Sequence, residues 1–133
     1  CIIKFPKKIN CIYKQKKSKL LVSNGKTLVI KNSSSKQYYL YPLHTTPLNI
    51  ILNKNLIINN IKKSEVKEIG EKFYNFEIND KKNIINIFFD KENYNLTGWQ
   101  TEDIYQNLTI TYIYNLKINE KLKEKIFKLP KNF

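Results

Sequence analysis

Two cysteines, Cys1 and Cys11, one histidine, His44, and the acid pairs Asp90/Glu92 and Glu102/Asp103 are the side chains here that could ligate a metal, attack a carbonyl or move a proton. None of these sets has the spacing its chemistry needs. A structural zinc site takes a second Cys or His pair, and a disulfide framework takes several cysteines at regular intervals, so Cys1 and Cys11 signal neither. His44 has no Ser, Cys or carboxylate at a motif distance that would make it a general base, and it reads as a loop residue. Glu102 and Asp103 are adjacent on a strand and point to opposite faces, while Asp90 and Glu92 fall at a turn where acids are ordinarily solvated. No catalytic residue, metal site or cofactor is expected.

The largest chemical signal is charge. A formal net charge of +13 invites a nucleic-acid reading, because clustered cations neutralise phosphates. All 24 basic residues are Lys, however, and none is Arg, the better planar reader of phosphates and bases. Ala is absent, and Lys, Asn and Ile make up 62 of the 133 residues, a skew that looks like A/T-rich coding bias. The lysines therefore read as a solvated surface, and a single-stranded nucleic-acid binder using Lys and Tyr faces is the weaker alternative. The Asn-x-Ser/Thr triplets at Asn32, Asn95 and Asn107 are expected by chance in so Asn-rich a chain.

The elements that must position any site are mostly strands. The length suits one domain, and a mean hydropathy of −0.49 with no apolar run near the ~18 residues of a spanning helix reads as a soluble protein. LLVS and TLVI flank Asn24-Gly25, which predicts a hairpin. Upstream, Cys1 to Phe5 and Ile9 to Lys14 read as a strand pair bent at Pro6, and downstream Gln37 to Tyr41 is a strand of aromatics. VKEI, a turn at Gly70, KFYNFEI, NIINIFF, YNLTGWQTED and NLTITYIYNL continue as a meander. In the last of these Leu108, Ile110, Tyr112, Tyr114 and Leu116 share a face opposite Thr109, Thr111 and Asn115, which predicts a half-buried sheet with its apolar side covered. Helix is scarce. In TTPLNIIL, Thr46 is the expected cap, Pro47 the first helical residue, and Leu48, Ile51 and Leu52 share one face; Leu56 to Ile58 is a second short apolar run.

The order of these stretches is similar to the LolA family of outer-membrane lipoprotein carriers. Asn24, Gly25 and Lys26 match its hairpin; Pro42, Leu43, Thr46, Pro47, Leu48, Ile51 and Leu52 its central motif; Leu96, Gly98, Trp99 and Asp103 the third; Phe127 and Pro130 the last. The resemblance implies a mainly β, open antiparallel half-barrel whose apolar side is covered by short lid helices at Thr46 to Ile58. KFPKKINCIY resembles a hairpin some way into the family's domain. Residues 1–133 are therefore expected to form a single LolA-like domain lacking the family's N-terminal helix and first strands. A lipidated Cys1, as in the related receptor LolB, is the rival reading.

As function, the resemblance implies a periplasmic, monomeric carrier. It would take lipoproteins by their acyl chains from an inner-membrane ABC transporter and ferry them to an outer-membrane receptor where one is present. A LolB-like receptor is the alternative, and no nucleic acid is a partner. The implied cavity or lid residues are Phe5, Ile9, Tyr39, Tyr41, Leu43, Leu48, Ile51 and Leu52 in the first half of the chain. In the second half they are Trp99, Leu108, Ile110, Tyr112 and Tyr114, with Trp99 either a cavity wall or a plain core anchor. Where family members commonly carry an Arg that holds the lid, this chain has Phe5, preceded by Lys4. Either Phe5 holds the lid by packing or Lys4 replaces the Arg without its fork of donors.

Overall fold

Asn24 and Gly25 turn the chain by their own chemistry. Gly25 takes a φ of 105°, and the Asn24 side-chain oxygen accepts from the N–H groups of Lys26 and Thr27, both at 3.0 Å. The structure, a computed structural model, describes residues 1–13, 18–32, 38–80, 83–102, 108–113 and 121–130. It divides into two compact units, Cys1–Lys54 with Asn119–Phe133, and Asn55–Ile118. In the first, strands β1 (Ile2–Lys4), β2 (Lys8–Tyr13), β3 (Lys19–Asn24), β4 (Thr27–Asn32) and β5 (Tyr38–Pro42) form one antiparallel sheet in that order. The predicted hairpin is β3–β4. Lys14 and Gln37, expected at strand ends, lie outside the described residues.

Sheet register sets what each face buries. Pairing Ile2 with Asn10 brings Cys1 opposite Cys11, and the two are joined in a disulfide. This corrects the expectation that they carry none: spacing alone hides a pairing that the β1–β2 bend creates. On one face Ile9, Cys11, Leu21, Ser23 and Leu28 are buried, and on the other Val22 and Val29. Burial on both sides explains why LLVS and TLVI are apolar runs rather than alternating ones. A 3-10 turn, Glu124–Phe127, packs on β2 and β3. Asn10 Nδ2 donates to its Ile126 carbonyl at 2.7 Å, and Phe127 is buried.

After β5 come a 3-10 turn, Leu43–Thr45, and helices α1 (Leu48–Ile51) and α2 (Lys54–Ile61). Thr46 does not cap α1 with its side chain. Its hydroxyl donates back to the Leu43 carbonyl at 2.8 Å, which also receives the Thr46 N–H, so the side chain is turned onto the preceding turn and its oxygen accepts no N–H of α1. Ser64 Oγ donates to the Asn60 carbonyl at 2.8 Å and to the Glu77 carbonyl at 3.1 Å, tying the end of α2 to the strand that carries Glu77.

The second unit holds β6 (Val66–Ile69), β7 (Phe73–Asp80), β8 (Asn83–Asp90), β9 (Leu96–Glu102) and β10 (Leu108–Tyr112), an antiparallel meander. Gly70 and Glu71 at positive φ, with Lys72 N–H donating to the Ile69 carbonyl at 3.1 Å, make the β6–β7 turn. Ile78 stands beside Ile85, and Ile87, Trp99 and Thr111 form one cross-strand row; all five are buried. Ile110 and Tyr112 point the other way and are 41% and 59% exposed. The expected sidedness of β10 is thus reversed. Its alternation is as read, but the covered side is the one Thr111 shares with Trp99 and Ile87. Gly98 is required here, since a Cβ would sit 2.2 Å from the Thr111 carbonyl oxygen. The architecture is mainly β, with open antiparallel sheets and few short helices, as the sequence predicts.

Candidate functional site

The first sheet carries an apolar strip made of two cross-strand rows. One runs Ile9, Ser23, Leu28, Tyr41, and the other Cys11, Leu21, Ile30, Tyr39, each residue directly opposite the next. At a strand spacing near 4.8 Å the strip runs about 14 Å from β2 to β5. Burial falls toward the β5 edge: Ile9 and Cys11 are fully buried, whereas Tyr39 and Tyr41 are 42% and 41% exposed. Tyrosines suit such an edge, with an apolar body against the strip and a hydroxyl at the water side. Apart from the tyrosine hydroxyls, Ser23 is the one polar side chain in the rows, and it is satisfied. It donates to the Lys7 carbonyl at 2.7 Å and accepts from Gly25 N–H at 3.1 Å, so the strip presents no unpaired polar group there.

The segment after β5 is apolar and sequestered. Leu43, Leu48, Ile50, Ile51 and Leu52 are all buried, Ile51 and Leu52 completely. Two backbone hydrogen bonds fasten its ends: Leu43 N–H donates to the Lys26 carbonyl at 2.8 Å, and Lys7 N–H donates to the Leu52 carbonyl at 2.7 Å. The second comes from a residue held at φ 68°, a conformation that favours glycine. Helix α1 therefore ends against the β1–β2 bend through the main chain.

Lys4 has other work. Its ammonium bonds Glu124, as does Lys8 at 2.8 Å, on the face of the sheet away from the strip. These bonds, from Lys4 first and then Lys8, hold the Glu124 carboxyl down at about 2. The reading of Lys4 as the lid's holder is corrected accordingly, since the cation is engaged 120 residues away in sequence. Phe5 is exposed at the bend and is not packed as a clasp.

The structure brings Ile9, Tyr39 and Tyr41 onto one strip and gathers Leu43, Leu48, Ile51 and Leu52 in the segment bonded to its rim. It does not bring the second-half residues onto one face. Trp99 is buried beside Ile87 and Thr111, Ile110 and Tyr112 face oppositely, Leu108 pairs with Glu102 in the ladder, and Tyr114 lies outside the described residues. Sequence reading missed Leu21, Leu28 and Ile30, although the Asn24-Gly25 turn that sets their register was legible. The Lys7 N–H has no side-chain signature to read. His44 is exposed, and among the described residues no three His, Cys, Asp or Glu side chains gather as a metal set. Nor is any described helix long and apolar enough to cross a membrane.

Compared with known proteins, residues 2–130 match the family model described as outer membrane lipoprotein carrier protein LolA. No curated protein matches the chain.

Proposed function

The chain belongs to the LolA family of outer membrane lipoprotein carriers, and from that premise we propose that it holds the acyl chains of lipoproteins on the Ile9–Tyr41 strip while ferrying them through the periplasm. The family is one of carriers rather than enzymes. The observation that carries the placement is the strip itself, apolar, internally satisfied, and open along the β5 edge at Tyr39 and Tyr41.

In this reading the segment from Leu43 to Leu52 covers the strip when no lipid is bound and yields to the acyl chain when one arrives. The Lys7–Leu52 bond supplies the hold that an Arg before Pro6 would otherwise give. Both units serve one LolA-like domain, and transfer runs from an inner-membrane transporter to an outer-membrane receptor. Magnitudes favour apolar recognition: at about 0.8 kcal/mol per buried CH₂, a chain of ~16 carbons is worth roughly 12 kcal/mol before the cost of displacing the cover. An exposed ion pair contributes at most about 1 kcal/mol.

The test is calorimetric titration of the full-length protein with a lipopeptide and with the same peptide deacylated, at low and high salt. The expected result is binding that requires the acyl chain and changes little with salt. Equal affinity for the deacylated peptide, or a steep fall with salt, would overturn the proposal.

A further inference from the structure

The net charge is divided along the chain in a way its total conceals. Residues 1–64 contain 13 lysines and no Asp or Glu, while residues 65–133 contain 11 lysines and all 11 acids. The whole excess of +13 therefore belongs to the stretch that builds the first sheet. Among the described residues of that unit Glu124 is the one acidic side chain, and Lys4 and Lys8 already occupy it. The remaining lysines there have no carboxylate of their own unit to meet among the described residues.

Of that charge, the face of this sheet opposite the acyl strip carries Lys31 within its rows, with Lys4 and Lys8 on Glu124 at its β1–β2 end, and sets Lys31 among exposed apolar side chains. One cross-strand row runs Ile12, Leu20, Lys31, Tyr38, and the next Asn10, Val22, Val29, Leu40. The turn Glu124–Phe127 bonds Asn10, and Val22 and Val29 are buried, yet Ile12 is 62% exposed and Leu40 54%. The Lys31 ammonium lies over the Tyr38 ring, 5.1 Å from its centroid. Ile12 and Leu40 are thus exposed at the β2 and β5 ends of these two rows, beside the partly exposed Leu20, Lys31 and Tyr38, and among the described residues no acid outside the Glu124 ion pairs lies on this face.

We propose that this Ile12–Leu40 face docks the protein on an anionic phospholipid surface. The chemistry of the patch selects that occupant. Aliphatic groups and a tyrosine ring partition into the headgroup boundary, and lysines keep their stems apolar and their ammonium groups among lipid phosphates. A fluid headgroup layer demands no fixed donor geometry, so Lys without Arg suffices, whereas a nucleic acid is better read by the guanidinium fork. Docking through this face leaves the strip on the opposite face, and its open β5 edge, outside the contact.

Co-sedimentation of the full chain with vesicles tests it. Vesicles of phosphatidylcholine are compared with vesicles in which a third of the lipid is phosphatidylglycerol, at low and high salt, and with a polyglutamate resin and an oligonucleotide. The expected result is binding to the anionic vesicles that high salt weakens. Lys31→Gln should lower partitioning about fivefold, the worth of one Lys near an anionic surface, and Ile12→Ser with Leu40→Ser should lower it further. Ile69→Ser, exposed on the second sheet, should leave it unchanged. All these positions are at least partly exposed, and circular dichroism verifies that each variant is folded. Failure to bind anionic vesicles, equal binding to phosphatidylcholine, insensitivity to the Ile12 and Leu40 changes, or equal retention by polyglutamate or oligonucleotide would each overturn the proposal.

Discussion

Replacing Ile51 with Ala separates a cover from a fixed core. Ile51 is completely buried in α1, one residue before the carbonyl that Lys7 holds. The change removes three carbons, which at about 0.8 kcal/mol each is a transfer loss near 2.4 kcal/mol, and incomplete collapse of the cavity brings the total into the range of about 2–5 kcal/mol. Urea denaturation of the empty protein should show this loss, with the midpoint lowered and the slope unchanged. If α1 must leave the strip before an acyl chain enters, the same loss weakens only the closed state. Affinity for a lipopeptide should then rise, by up to about 50-fold if the full 2.4 kcal/mol is released into opening. A permanent core residue has no such coupling. A destabilised Ile51→Ala protein whose lipopeptide affinity is unchanged or reduced would refute the cover.

Gly98→Ala should cost at least about 3 kcal/mol, because the clash is with the Thr111 main chain and β10 must move away from β9; a urea midpoint near that of the parent would contradict this. Lys7→Gly relieves a positive φ while keeping the N–H that bonds Leu52, so stability should be unchanged or raised by up to about 1 kcal/mol, and Lys7→Val should lower it. The Glu124 carboxyl should titrate by NMR near 2 instead of its ordinary 4.5, and return toward that value in the Lys4→Gln, Lys8→Gln double variant. Its folded-state value is depressed, so its small contribution to stability is present above about 4.5 and fades as pH falls through about 2.

What the sequence made legible was local. Asn24-Gly25 specifies its hairpin because turn chemistry depends on the residues in the turn, and Pro47 with Leu48, Ile51 and Leu52 marks α1 because helical spacing is carried by near neighbours. What stayed hidden depends on distant partners. Alternation in β10 shows that Ile110 and Tyr112 share a face, but which face is covered is decided by the row of Ile87, Trp99 and Thr111. The Cys1–Cys11 disulfide follows from the β1–β2 register, and the occupation of Lys4 from a carboxylate near the other end of the chain. At the site, the aromatic edge was readable in Tyr39 and Tyr41, whereas Leu21, Leu28 and Ile30 joined them only once four strands were in register.

Photocrosslinking with a lipopeptide that carries a diazirine within its acyl chain tests whether the Ile9–Tyr41 strip holds the acyl chain. The protein is loaded, irradiated and digested, and the labelled residues are read by mass spectrometry. The expected labels fall on the strip, concentrated at Tyr39 and Tyr41 with Leu28 and Ile30 behind them, and are competed away by unlabelled lipopeptide. Competed labels confined to Ile110, Tyr112 and their neighbours on the open face of the second sheet, with the strip unmarked, would contradict it.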